Sequence, residues 1–222
     1  MNTINDFFGS IYKWMAVGVA ISGVMAFVTM NSPLAVIYTN QWYFYGVVAI
    51  ELILVLGIQF AIKRISPGQA FMLYLVYAAL NGITIAGLLS IYLAQSVVTV
   101  VAVFAAAVVM FASLALYGYR TTKDYSGWGS FLFAGVIGII VASLINIFFK
   151  NDIFSIVISA IALLVFAALT VYDNQFYKNL HSQIKDSPEE LSRYATLGAL
   201  HMYINFIVMF QSLLQLVGFA RD

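Results

Sequence analysis

The chain has 222 residues, of which 63% are hydrophobic and 9% charged, with a formal net charge of +1 and no cysteine. Soluble domains carry charge on roughly a quarter of their residues, so this composition excludes a soluble globular protein and implies one embedded in a bilayer. The near-zero charge gives no reason to expect a nucleic-acid partner, and the missing cysteines exclude disulfides, thiol nucleophiles and thiolate metal sites.

Apolar runs of about 20 residues cross a bilayer as helices, and the sequence offers seven with little left over. They run Ile11 to Asn31, Trp42 to Ile62, Gln69 to Tyr92, Ser96 to Tyr119, Gly129 to Phe149, Ile153 to Asn174 and Arg193 to Phe219. The expectation is one membrane domain over residues 1–222. No cleaved signal peptide is expected, because the first run, from Trp14 to Met30, is longer than a signal core and only Lys13 precedes it closely. Pro33, Pro67 and Pro188 fall between runs, where a missing amide donor does no harm. Ser187-Pro188-Glu189-Glu190 reads as a capping Ser, a Pro at the first helical position and a Glu completing a capping box, so the last helix starts before its apolar part.

Lysine and arginine set the orientation. Lys13, Lys63, Arg64, Arg120, Lys123, Lys178, Lys185 and Arg193 lie on the side of the N-terminus, and Lys150 and Arg221 on the other. This bias predicts a cytoplasmic N-terminus and, after seven spans, a C-terminus outside. Small residues recur every fourth position at Gly18, Ser22 and Ala26, at Ala78, Gly82, Ala86 and Ser90, and at Ser130, Ala134, Gly138 and Ala142. Such stripes let helix backbones approach closely in lipid, which predicts a tight bundle and not a wide pore.

Two acids interrupt the runs. Asp173 closes the sixth and Glu51 sits in the middle of the second. An ionisable group at membrane depth is costly and faces a partner or a wet cavity. Asp173 reads as a proton-titrating gate, a cation or metal ligand, or a carboxylate reaching interfacial water; by topology Lys63 and Arg64 are its candidate cationic partners. Glu51, with no cation expected at its depth, belongs either to a structural polar network or to an ion path with Asp173 and Asn205. In the last span His201 and Asn205 are four residues apart and share a face. His201 is either a hydrogen-bonded packing residue or, opposite Asp173, part of a switch that titrates near neutral pH. Catalysis is not expected. Tyr172-Asp173 is similar to half of an intramembrane aspartyl protease site, but no second Asp follows a G-x-G, and neither a rhomboid-type serine motif nor a metal-binding His-Glu cluster is present.

Asn81-Gly82-Ile83-Thr84, Thr122-Lys123-Asp124-Tyr125-Ser126, Tyr172-Asp173 and the residues Leu200, Tyr203, Phe206, Ile207, Phe210, Leu214 and Gly218 follow one another with the order and spacing of a known family. The chain resembles the Bax inhibitor-1 family, in its bacterial YetJ-like branch, over nearly its whole length. That resemblance implies seven helices with the last one central and wrapped by two layers of three. It also implies a pH-sensitive calcium leak, in which aspartates of the sixth and seventh helices share a proton. Asp173 matches the first of these, whereas the second falls on Asn205. The family's like-charge coupling is therefore missing, and a single-site titration at Asp173, modulated by His201, is expected in its place. The leading expectation is a calcium-permeable channel without a cofactor; the alternative is a non-conducting regulator that binds a quality-control protease or another membrane partner. Short loops and tails favour a bacterial plasma (inner) membrane.

Overall fold

A computed structural model describes residues 3–149 and 151–220, so Lys150 and Arg221 of the orientation argument lie outside the described residues. Among these the structure is all-helical: α1 Ile4–Met30, a short α2 Val36–Thr39, α3 Gln41–Ala61, α4 Pro67–Gln95, α5 Val97–Arg120, α6 Gly129–Phe149, α7 Asp152–Ile184 and α8 Pro188–Phe219. Seven of them, all but α2, are long and apolar enough to cross a membrane. The seven expected spans are these seven helices, with ends that move outward where local capping extends them.

The extensions have identifiable causes. Thr3 and Asp6 form a reciprocal capping box, so α1 begins seven residues before the apolar run. Ser66 and Gln69 do the same ahead of Pro67, with Ser66 N–H donating to Gln69 Oε1 at 2.9 Å and Gln69 N–H to Ser66 Oγ at 3.2 Å. Pro67 and Pro188 are thus first helical residues, where proline is well tolerated. At α8 the box is only half made. Ser187 Oγ accepts from Glu190 N–H at 3.4 Å, but the Ser187 N–H goes to Ile184 O at 3.0 Å, so the Glu190 side chain has no amide to close on. α7 runs ten residues past its expected end and, at 33 residues, measures about 50 Å against a hydrocarbon core of about 30 Å.

The chain divides into two compact units. The first comprises Met1–Gln95 with His181–Tyr203, the second Ser96–Leu180 with Ile204–Asp222, so α8 gives its first half to one and its second half to the other. In the first unit α1 packs on α4 through the expected small residues: Gly18, Ser22, Ala26, Ala78, Gly82 and Ala86 are all buried. A Cβ at Gly82 would stand 2.6 Å from Ser22 O, so this crossing requires glycine. α3 buries only Glu51 and Ile58, seven residues apart on one face; Ile53 and Phe60 point outward at 71% and 84% exposure, as expected for a helix bathed in lipid.

In the second unit the close approach is between α5 and α7, where a Cβ at Gly118 would lie 2.5 Å from Val171 O. α7 buries Ser159, Ala162, Phe166, Thr170, Asp173 and Tyr177, a stripe with helical spacing. The third small-residue stripe is not an interface. Ser130, Ala134 and Gly138 are exposed, and α6 is seated instead by buried Leu132 and by Gly135 against Val165. A run of small residues is equally acceptable facing lipid, which is why the pattern alone misassigned it.

Gly118→Ala should therefore destabilise the protein by about 1–3 kcal/mol, since the added methyl meets backbone that cannot swing aside. Gly138→Ala, with nothing within 4 Å, should be neutral; thermal unfolding of both variants in detergent checks the contrast.

Candidate functional site

The two membrane-depth acids each accept a hydrogen bond from a neutral side chain, one acid in each unit. Glu51, 8% exposed at the middle of α3, accepts from Thr84 Oγ1 at 2.9 Å and from Asn81 Nδ2 at 3.3 Å. Asn81 in turn accepts at Oδ1 from the Tyr203 hydroxyl at 2.9 Å, and that hydroxyl lies 2.6 Å from Ser22 Oγ. Ser22 Oγ is also within reach of Ala78 O at 2.7 Å and Gly18 O at 3.0 Å. One polar network thus joins α1, α3, α4 and the first half of α8. Apolar rings surround it, with Tyr74 and Tyr77 each edge-on to Tyr203 at centroid distances of 5.9 Å. Glu51 is thus hydrogen-bonded into a polar network within the first unit.

Asp173 is 7% exposed, on the buried stripe of α7. Asn205 Nδ2 donates to its Oδ2 at 2.7 Å, so the two residues that the sequence paired across its sixth and seventh spans are in direct contact. The amide cannot titrate. The pair therefore holds one ionisable group where two carboxylates would hold two. Thr170 and Asn174 flank it and bond to their own helix, Thr170 Oγ1 to Phe166 O at 2.8 Å and Asn174 Nδ2 to Thr170 O at 2.7 Å.

Just beyond Asp173, α7 is clamped to the last turn of α5 and to the chain between α5 and α6. Tyr125 N–H donates to Gln175 Oε1 at 2.7 Å, Gln175 Nε2 donates to Lys123 O, and Lys178 Nζ donates to Tyr119 O at 2.9 Å. Asp124 closes the turn by accepting from Ser126 N–H at 2.8 Å, a bond that holds its carboxyl below the usual carboxylate range. The Thr122 to Ser126 motif thus works as a splint for the end of α7 that carries Asp173. Gln175 was not singled out by sequence; its only signal is a buried amide three residues before a lysine.

Lys63 and Arg64 stand exposed in the turn after α3. His201 is half-buried on α8, in the half that belongs to the first unit. His181, which the sequence reading passed over, is 8% exposed; its Nε2 has no hydrogen-bond partner among the described residues, and its ring packs on Phe7 at a centroid distance of 5.4 Å. Among the described residues no three His, Asp or Glu side chains come together. Calcium takes six to eight oxygens, more than one carboxylate and one amide supply.

A family model described as "Inhibitor of apoptosis-promoting Bax1" matches residues 4–222. The inner membrane protein YbhL of Escherichia coli strain K12 is 34% identical over 221 residues, 98% of this chain and 93% of that protein. A protein of Borreliella burgdorferi is 34% identical over 220 residues, covering 98% and 94% of the two chains, and a membrane protein of Streptococcus pyogenes serotype M3 is 34% identical over 223 residues, covering 97% and 93%.

The Glu51 network makes a stability prediction. Tyr203→Phe leaves Asn81 Oδ1 buried without its donor and should cost about 1–3 kcal/mol. Ser22→Ala should then cost less in the Tyr203→Phe background than in the wild type, because the bond they share is already gone. A double-mutant cycle on thermal unfolding in detergent measures the coupling, and strict additivity would show that the network is not connected.

Proposed function

This chain belongs to the Bax inhibitor-1 family of membrane proteins, and from that premise we propose that it is a pH-sensitive, calcium-permeable leak channel gated at Asp173. The observation that carries the reading is the Asp173–Asn205 contact: a buried carboxylate at membrane depth, bonded to a neutral amide across two long helices. Ionised, Asp173 attracts a passing divalent cation and accepts from Asn205. Protonated, it loses that attraction while keeping a hydrogen bond to the amide. Calcium is cargo here, and the site needs no cofactor and performs no catalysis.

Gating in this reading involves α3, which buries only Glu51 and Ile58, and α8, which is the most enclosed span, with 56% of its apolar window buried. We take α8 as the central helix, wrapped by two layers of three. Lys63 and Arg64, in the turn that ends α3, are the cations available to pair with Asp173 when α3 moves, and His201 is the group available to modulate it. The lysine and arginine bias supports a cytoplasmic N-terminus. The YbhL relative is named as an inner membrane protein, which supports the same location for this chain.

Calcium flux into proteoliposomes between about pH 5 and pH 8 tests the reading. Wild-type flux should follow a single-site curve, passing from a tenth to nine tenths of its range over about two pH units. Asp173→Asn should flatten it. Asn205→Asp should broaden it or split it in two, as coupled carboxylates do. Absence of flux above empty liposomes at every pH would refute conduction and leave a regulator of membrane partners, such as a quality-control protease.

A further inference from the structure

Between the second half of α8, the first half of α7 and the last turns of α6 lies a cavity of about 360 Å³, within the second unit. Seven of its twelve lining residues carry hydroxyls or amides, and none carries a charge. Asn146, Ser155, Ser159, Gln211, Ser212 and Gln215 dominate the wall. Some are paired across helices, Asn146 Nδ2 donating to Ser155 Oγ at 2.6 Å and Ser159 Oγ to Gln215 Oε1 at 2.8 Å. Gln211 and Ser212 make no side-chain hydrogen bond within the described residues, although Ser212 is only 4% exposed. Polar groups left unpaired in a membrane protein cost free energy unless something in the cavity bonds to them. The volume holds about ten waters at ~30 Å³ each, and the wall supplies partners for them.

The cavity is blind. It spans Ser155 to Ala162 on α7, about 10 Å along the axis, and Asp173 lies about 16 Å further along the same helix. Phe166 and Thr170 fill that interval on α7, and Thr170 Oγ1 contacts Met209 Sδ of α8 at 3.6 Å. Met209 and Thr170 are 0% exposed. On the same stretch of α8, Phe206 and Phe210 are each edge-on to Phe104 of α5, at 5.6 and 5.5 Å between centroids. A polar chamber and a buried carboxylate are thus separated by a dry layer of Phe166, Thr170 and Met209, a barrier of the kind that closes pores by dewetting.

We propose that this cavity is an inlet for small hydrated cations, closed at its inner end by Phe166, Thr170 and Met209. Neutral oxygens suit that task. They solvate a cation without trapping it, as a conducting path requires, and leave selection to the single charge at Asp173. The inlet role rests on the conduction reading; the hydration of the cavity does not.

The absence of native cysteine makes the test direct, because any introduced thiol reports alone. A membrane-impermeant methanethiosulfonate bearing a trimethylammonium group, itself a small cation, is applied to each face of sealed vesicles containing Ser143→Cys, Ser212→Cys or Met209→Cys, with Lys123→Cys marking the opposite face. Ser143→Cys and Ser212→Cys should react from the face opposite Lys123→Cys, at least tenfold faster than Met209→Cys. Modified Ser212→Cys should also lose most of its calcium flux, with reagent-treated wild type unaffected. Equal protection of Ser212→Cys and Met209→Cys would overturn the hydrated cavity. Labelling with no effect on the flux of a conducting protein would overturn the inlet. If the wild type itself does not conduct, conduction and with it the inlet fall, and labelling alone decides hydration.

Discussion

A carboxylate inside a bilayer must be hydrogen-bonded, and both of those in this protein are bonded to neutral groups. Glu51 rests on Thr84 and Asn81, and Asp173 on Asn205. The helices are arranged to make those bonds possible. Gly82 lets α4 lie against α1 closely enough for Ser22 and Tyr203 to complete the Glu51 network, and Gly118 lets α5 lie against α7 just above Asp173. On the proposed reading, a neutral partner such as Asn205 lets the acid change protonation without stranding a buried cation. A salt bridge in either place would cost several kcal/mol to break, and such an acid would make a poor sensor.

The seven spans were legible because hydrophobic runs of bilayer length have no soluble alternative. So were Asp173 and the stripes of α1 and α4, since charges in apolar runs and small-residue stripes each have few physical explanations, whereas Asn205 was paired with Asp173 by the family resemblance. The misassigned stripe on α6 marks the limit of that argument, because a small residue facing lipid and one facing a helix leave the same pattern. The splint made by Gln175 and Lys178 was hidden for another reason. It uses backbone carbonyls of Tyr119 and Lys123, which no side-chain pattern announces. The polar cavity was invisible likewise, as its residues come from three helices at spacings that mean nothing until the helices are packed.

Asn205 is the position where this chain departs from the paired aspartates that the family resemblance implies. An amide keeps the contact and discards the repulsion. On the proposed reading one proton then does the work of two, and the response to pH narrows to a single step. The same economy of charge extends along α7 and α8, whose buried stripe beyond Asp173 is apolar and then neutral-polar.

The most direct test of the central claim is infrared spectroscopy of the protein in lipid nanodiscs, with 13C-labelled aspartate and Asp173→Asn as the difference reference. The account predicts a protonated-carboxyl band assigned to Asp173 that appears in one step as pH falls, over the same range in which calcium flux changes. A band that stays constant across that range, or a step that survives in Asp173→Asn, would contradict it.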